Sequence, residues 1–176
     1  MHLRRATLHD LPAIERVMRG SLETLGRTAY DDAQIASSLR YVARPDRQIV
    51  EDGTYFVVVD DAGEVVACGG WSRRGKLYAG SAAAGGEERM LEPATEPARV
   101  RAMFTLPTHA RRGLGRMILE RCESEARAHG FARVELMAMA SGRAMYDACG
   151  YRVIRETKIV LEDGVSMDGA LMEKEL

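Results

Sequence analysis

The stretch "VRAMFTLPTHARRGLGRMILERCESEARAHGFARVELMAMA", residues 100–140, decides the fold of this chain. Its first part has strand character and stops at Pro107. An apolar stripe with helical spacing follows, and Gly130 is a typical helix stop. "ARVELMAMA" then has the composition of a buried strand. This order predicts a strand–helix–strand unit with a parallel pair of strands. The stripe consists of Leu114, Ile118, Leu119, Cys122 and Ala126.

The flanking segments add strands and helices on both sides of this unit. "TYFVVVDDAGEVVACGGWS", residues 54–72, predicts a hairpin, because two β-branched runs enclose turn residues. Asp10 and Pro12 predict the start of a helix, and "YDDAQIASSLRYVA" and "GRAMYDA" predict two more. "YRVIRETKIVL" and "GALMEKEL" predict closing strands. We therefore expect an α/β fold with a mixed sheet, and a single domain over residues 1–176.

Composition excludes several classes of function. The chain is 46% hydrophobic with a formal net charge of -1, which is typical of a globular protein and not of a general nucleic-acid binder. No apolar run reaches the roughly 18 residues of a membrane span, and the N-terminal stretch does not resemble a signal peptide. Cys68, Cys122 and Cys149 lack the spacing of a disulfide framework or zinc site, so a cytoplasmic protein without a metal is expected.

The turn "HARRGLGR", residues 109–116, concentrates positive charge where the central helix begins. Helix N-termini offer unpaired N–H groups to anions, and glycines let the backbone curl around one. The helix-end field contributes only about 0.3–1 kcal/mol, whereas micromolar binding needs about 8 kcal/mol. A diphosphate with a long organic tail therefore fits better than a lone phosphate. Gly115 is not followed by Lys and Ser/Thr, which excludes a Walker A loop, and Ile118 breaks the dinucleotide fingerprint. Taken alone, the turn also fits solvated arginines.

A second motif makes the turn more specific. "MFTLPTHARRGLGRMIL" resembles the acyl-CoA-binding motif of the GNAT superfamily of N-acyltransferases, in which a strand and a proline precede Gln/Arg-x-x-Gly-x-Gly/Ala and a helix. The later "AMYDACGY" resembles that family's short helix with a tyrosine, here Tyr146, followed by Gly and an aromatic residue. The resemblance covers most of the chain. It implies a GNAT-like, mostly antiparallel mixed sheet with a parallel βαβ core and helices on both faces.

The resemblance also implies the residues that bind acetyl-CoA. Strand backbone should bond the pantetheine arm, the amides of the turn should hold the diphosphate, and Ser141 stands where many relatives have an asparagine that touches the coenzyme arm. Ala110 departs from the family's Gln/Arg, so one side-chain contact is missing, although backbone capture does not depend on it. The cofactor-binding residues implied are Phe104, Thr105, Arg111, Arg112, Gly113, Leu114, Gly115, Arg116 and Ser141.

The reaction implied is transfer of an acetyl or other acyl group from CoA to a primary amine by direct attack. Tyr146 is the implied general acid for the leaving thiolate, because a phenol stays protonated at neutral pH. The general base stays open among Glu96, His109 and Glu135, and Cys149 lacks a base that the sequence identifies. The alternative is a non-catalytic CoA-binding or regulatory domain of the same fold.

The acceptor is expected to bind outside the two coenzyme motifs. We expect a small-molecule or peptide amine, bound by the N-terminal helices and by residues 75–98, a long segment without a clear period. Four aromatic residues are candidates for the acceptor pocket, although packing is the more common use of aromatic residues in a small domain. Four glutamates would make residues 75–98 attractive to an amine or leave them a solvated surface. The resemblance leaves a homodimer open. The aromatic candidates are Tyr30, Tyr41, Trp71 and Tyr78, and the glutamates are Glu87, Glu88, Glu92 and Glu96.

Overall fold

The protein is described by a computed structural model that covers residues 1–77 and 89–176. Within these residues, seven strands form one sheet, and five α-helices pack against it. Tyr78, Glu87 and Glu88 lie outside the described residues. The elements in chain order are β1 (His2–Arg5), α1 (Leu11–Thr24), α2 (Asp32–Tyr41), α3 (Arg47–Glu51), β2 (Tyr55–Val59), β3 (Val65–Ser72), β4 (Ala98–Thr105), α4 (Leu114–Ala128), β5 (Arg133–Met139), α5 (Arg143–Ala148), β6 (Arg152–Val160) and β7 (Ser166–Glu175).

The sheet is mixed, with the strand order β1-β2-β3-β4-β5-β7-β6. Every neighbouring pair is antiparallel except β4 and β5, which are parallel and are joined by α4. The predicted βαβ unit, the hairpin β2–β3 and the α/β class with a mostly antiparallel sheet are therefore confirmed. The parallel pair lies in the middle of the sheet.

The two faces of the sheet carry separate cores. On one face, the buried stripe of α4 packs with residues such as Phe56 and Leu136. On the other face, α1 and α3 pack on the opposite side of β2 and β3, through residues such as Ile14, Ile49 and Val57. Because side chains alternate along a strand, the buried strands contribute to both cores at once. Helices on both faces are thus confirmed.

One helix was not predicted from the sequence. Helix α3 has five residues and begins after Asp46, whose side chain accepts a hydrogen bond from the backbone of Gln48 at 3.0 Å. Such a helix is less than two turns long, so its apolar residues show no periodicity. The central helix is consequently the fourth of the chain and not the third.

Asp10 anchors the start of α1 to β1. Its carboxylate accepts two hydrogen bonds from Arg4, at 2.7 and 2.8 Å, and one from the backbone of Thr7 at 2.7 Å. The hydrogen bonds from Arg4 hold the pKa of Asp10 well below its usual range, against the opposing effect of burial. Since the folded-state pKa is depressed, this stabilisation is present above about pH 4 and is lost as the pH falls toward the folded-state pKa.

We therefore expect Asp10→Asn to lower the free energy of unfolding at pH 7 and to have a smaller effect at pH 3. Urea unfolding at pH 7, 5 and 3 measures this difference. Glu120→Gln is the control, because Glu120 is an exposed carboxylate on α4. An Asp10→Asn effect that is equal at all three pH values would contradict the assignment.

Candidate active site

Strands β4 and β5 separate soon after they begin. Their register pairs Ala98 with Val134 and Arg99 with Glu135, and the described residues show no further pairing between them. From residue 100 onward, β4 therefore has no strand on its β5 side, and its backbone groups there are available to another molecule. A cavity of about 630 Å³ opens between the two strands.

A β-bulge marks the β4 wall of this cavity. Cys68 of β3 lies opposite Phe104, but Gly70 lies opposite Arg101, so Ala102 and Met103 together face Gly69. Ala102 has a φ of 53°, which is rare outside glycine and indicates local backbone strain. The buried hydroxyl of Tyr55 donates a hydrogen bond to the carbonyl oxygen of Ala102 at 2.7 Å. Tyr55 thus holds the bulge at the position where the strands diverge.

The glycine–arginine turn closes one end of the cavity. Gly113 adopts φ 80° at the start of α4, and Arg111 adopts φ 63°. A Cβ on Gly113 would meet nothing within 4 Å, so this position needs glycine for its conformation. A Cβ on Gly115 would lie 2.5 Å from Sδ of Met145, so this glycine also permits the close packing of α4 against α5.

Eight of the nine residues predicted to bind the cofactor line this cavity. They are Phe104, Thr105, Arg111, Gly113, Leu114, Gly115, Arg116 and Ser141. Arg112 is exposed and does not line it. Arg116 donates a hydrogen bond to the carbonyl oxygen of Ala148 at 3.2 Å, which ties the first turn of α4 to the end of α5.

Tyr146 lies on α5 and lines the same cavity. Only 7% of the residue is exposed, and its ring makes an edge contact with Tyr151 at a centroid distance of 5.8 Å. Burial raises the pKa of the Tyr146 phenol well above its usual value, so the group retains its proton throughout the neutral range. A buried, protonated hydroxyl at the cavity wall is suited to donate a proton.

The three candidate bases are in different surroundings. Glu96 binds Arg89, and the hydrogen bonds from that arginine lower its pKa to about 2. Glu135 is paired with Arg99 at the last point of β4–β5 contact. Neither glutamate lines the cavity. His109 does, with its Nε2 atom 3.9 Å from a carboxylate oxygen of Asp60.

The far wall of the cavity is apolar; its α1 residues belong to the N-terminal helices expected to bind the acceptor, whereas the contribution of β5, β6 and β7 was not foreseen. This wall joins residues of α1 with residues of β5, β6 and β7, which are distant in the chain, so no local pattern revealed it. Arg101 is the buried cation of this region, and it was also missed. The apolar residues are Met18, Leu22, Leu25, Val42, Met137, Met139, Ile159 and Met167.

The three aromatic candidates among the described residues do not line this cavity. The hydroxyl of Tyr30 donates to the carbonyl oxygen of Asp168 at 2.6 Å and accepts from the amide of Ala140 at 2.8 Å. Trp71 is fully buried against Phe131. Tyr41 lies beside a separate surface cleft. These three side chains are used for packing and for hydrogen bonds within the fold.

The described residues also bear on metal binding and on membrane spanning. Residues 1–77 and 89–176 contain no group of three or more His, Cys, Asp or Glu side chains placed to hold a metal ion. Within the same residues, no helix combines the length and the apolar character needed to cross a membrane.

Several solved structures share the fold of this chain. A GCN5-related N-acetyltransferase from Rhodopseudomonas palustris has a TM-score of 0.75 at 16% identity, with 99% of this chain and 95% of that one covered. The PaiA N-acetyltransferase of Thermoplasma acidophilum, solved with coenzyme A, has a TM-score of 0.66 at 14% identity, with 99% and 98% covered. A ribosomal-protein-alanine N-acetyltransferase from Brucella melitensis has a TM-score of 0.65 at 19% identity, with both chains fully covered. At these identities the likeness shows a shared N-acetyltransferase fold.

The family follows from the sequence profile. The profile of the acetyltransferase (GNAT) family matches residues 21–151, about three quarters of the chain. The chain therefore belongs to the acetyltransferase (GNAT) family, and the predicted resemblance is confirmed. Acyl transfer is the general activity of this family. A search of curated proteins finds no significant match.

Proposed function

We propose that this protein transfers an acetyl group from acetyl-CoA to a primary amine by direct attack. The amides of residues 111–116 would hold the diphosphate of CoA, with Tyr146 as the general acid. The observation that carries this proposal is the continuous cavity, which joins the glycine–arginine turn, the unpaired side of β4 and Tyr146. Coenzyme A bound to the Thermoplasma relative supports the choice of donor.

The order of elements along the cavity indicates the direction in which the arm of acetyl-CoA would run. The turn lies just beyond the carboxyl end of β4, where ligands of parallel strands gather. An arm that leaves this turn and adds to β4 as an extra strand runs backward from Thr105 toward Ala102. Strands rise about 3.4 Å per residue, so these four residues span about 10 Å. The thioester then lies beside the bulge at Ala102.

The chemistry balances with the residues that the cavity offers. The amine nitrogen attacks the thioester carbonyl carbon, and the carbon–sulfur bond breaks as the amide forms. The phenol of Tyr146 protonates the departing thiolate, and the nitrogen loses its proton to water or to a base. A lysine-like amine with a pKa of about 10.4 is neutral in only about 1 molecule in 2,500 at pH 7. Of the three candidate bases, His109 alone lines the cavity, but it lies in the turn at the diphosphate end, so water is the acceptor proposed for that proton.

Release of free CoA thiol from acetyl-CoA in the presence of an amine panel tests the proposal. Thermal shifts with acetyl-CoA, CoA, ATP and NAD accompany it, because a ligand that binds the native state stabilises it by mass action. We expect stabilisation by the CoA compounds and turnover with at least one amine. Stabilisation without turnover of any amine would favour a non-catalytic CoA-binding domain, and equal responses to ATP and CoA would indicate generic capture of anions.

The three arginines of the turn should differ in their effect on CoA binding. We expect Arg116→Gln to weaken CoA binding by about 10-fold, since a charge-assisted hydrogen bond contributes about 1.5–3 kcal/mol and partial exposure reduces this. Arg112→Gln is the matched control, because Arg112 is exposed and does not line the cavity. Calorimetry at low and high salt measures both variants. Equal losses for the two would contradict the placement of the diphosphate.

Three broader expectations belong to the same proposal. Residues 1–176 act as a single N-acetyltransferase domain, supported by the one sheet that includes strands from both ends of the chain. A cytoplasmic location is supported by cysteines that are free, namely Cys68, Cys122 and Cys149. A homodimer remains a prediction, which sedimentation analysis tests.

A further inference from the structure

Arg101 is a buried cation in an otherwise apolar part of the cavity. Its side chain is only 2% exposed, yet the residue lines the cavity wall. Burying a guanidinium costs several kcal/mol unless its charge and its N–H groups find partners. The partners of Arg101 therefore show whether the protein itself satisfies this charge and these N–H groups.

The guanidinium of Arg101 is only partly satisfied by the protein. Its Nη2 atom donates to the carboxylate of Asp46, which precedes α3. Its Nε atom is buried and has no hydrogen-bond partner, and Nη1 makes no hydrogen bond to residues 1–77 or 89–176. Arginine has five N–H donors in a planar fork that matches a carboxylate. Donors of this fork thus remain without a partner among the described residues.

The charges around Arg101 leave a local excess of positive charge. Asp46 is shared, since Nζ of Lys76 lies 3.7 Å from the same carboxylate oxygen that Arg101 contacts. The other carboxylate oxygen of Asp46 accepts the backbone N–H of Gln48. Arg101 and Lys76 share the single negative charge of Asp46, so the charge of a second anionic group would be balanced here.

The rest of this region selects for an apolar molecule. Side chains of α1, including Met18 and Leu22, face methionines of β5 and β7 across the cavity. Such a surface stabilises a hydrocarbon body by about 25 cal/mol per Å² of apolar area buried. The residues Met18, Leu22, Leu25, Met137, Met139 and Met167 form this surface.

We propose that the acceptor is an apolar amino acid, whose carboxylate binds Arg101 while its amine attacks the thioester. The proposal rests on the proposed function and specifies its substrate. Arg101 directly precedes Ala102, whose bulge lies beside the expected thioester, and both side chains are on the α1 and α3 side of the sheet. A carboxylate held by Arg101 therefore lies close to the reacting carbon. This arrangement fits an acceptor whose carboxylate and amine are only a few bonds apart.

A series of three acceptors tests the need for the carboxylate. Leucine, leucinamide and 3-methylbutylamine share the apolar body and the amine, and only leucine carries the anion. We expect kcat/KM for leucine to exceed that for the other two by about 100-fold, because a buried donor that loses its partner discriminates strongly. Equal kcat/KM values would overturn the proposal. A preference for peptides over free leucine would also overturn it.

Variants assign the preference to Arg101. Arg101→Gln alone leaves Asp46 buried without its partner, so the informative variant is Arg101→Gln with Asp46→Asn, which keeps an amide able to cap α3. We expect this double variant to lose the preference for leucine and to retain turnover of 3-methylbutylamine. The control is Arg74→Gln with Asp52→Asn, an ion pair near the other end of α3 that does not line the cavity. A double variant with the preference intact would overturn the assignment.

Product binding separates this proposal from the proposed function. In the presence of CoA, N-acetyl-leucine should stabilise the wild-type protein against heat more than N-acetyl-leucinamide, and the Arg101 double variant should not distinguish them. If amines are acetylated but neither assay depends on the carboxylate, the acceptor proposal fails and the acetyltransferase stands. If CoA binds and no amine reacts, the proposed function fails and this proposal falls with it.

Discussion

Tyr146→Phe is expected to lower kcat by about 10²- to 10⁴-fold, the range that positioned proton transfer contributes. The phenylalanine ring keeps the edge contact with Tyr151 and the packing beside Gly142. Only the hydroxyl is lost, so CoA should bind with nearly unchanged affinity. Steady-state kinetics together with CoA titration measures the two quantities separately.

Tyr151→Phe is the matched control for this variant. Tyr151 is also buried, and it does not line the cavity. Its loss should leave kcat unchanged. Because burial raises the pKa of Tyr146, ionisation of this phenol should not reduce kcat below about pH 10. A Tyr146→Phe enzyme with wild-type kcat would remove the general-acid role.

Gly70→Ala is expected to cost about 3 kcal/mol of stability, the upper end of typical overpacking effects. A Cβ at this position would lie 2.6 Å from the carbonyl oxygen of Thr54 and 2.9 Å from Cα of Tyr55. Both contacts are to the backbone at the start of β2, which can yield only by moving away from β3. The same shift would disturb Tyr55 and therefore the bulge at Ala102.

Gly63→Ala provides the comparison for this effect. Gly63 lies at the tip of the hairpin with φ 84°, and a Cβ there would meet nothing within 4 Å. Its replacement should cost only the conformational strain, about 1–2 kcal/mol. Urea unfolding of the two variants and the wild type measures the difference. A Gly70→Ala protein as stable as Gly63→Ala would show that β2 and β3 pack less closely at this point than described.

Much of the part of the cavity that is proposed to bind the coenzyme was predictable, because the backbone conformation and the helical pattern it needs are local. The positive φ of Gly113 and the stripe that begins at Leu114 are properties of a few consecutive residues, and both are visible as sequence pattern. The backbone of Phe104 and Thr105 was reached through the family resemblance, since nothing in those side chains identifies them. Arg112 does not line the cavity, and the sequence does not show this, because a charged residue in a turn carries no sign of its direction.

The acceptor side could not be predicted in the same way. Asp46 and Arg101 are 55 residues apart in the chain, and only their packing makes them partners. Met18 and Met137 are as well suited to an ordinary core as to a substrate wall, and the sequence does not distinguish these uses. The bulge at Ala102 depends on Gly69 of a neighbouring strand.

The sequence by itself determined the βαβ unit, the turn around Gly113 and the family, because hydrophobic period and glycine conformation act over a few residues. The tertiary structure alone decided where β4 leaves β5, which residues of β5, β6 and β7 line the far wall of the cavity, and that Arg101 is buried with N–H donors that lack a partner. These features arise from contacts between segments far apart in the chain. Such contacts depend on how the whole sheet and its helices pack, and no short pattern of residues encodes that packing.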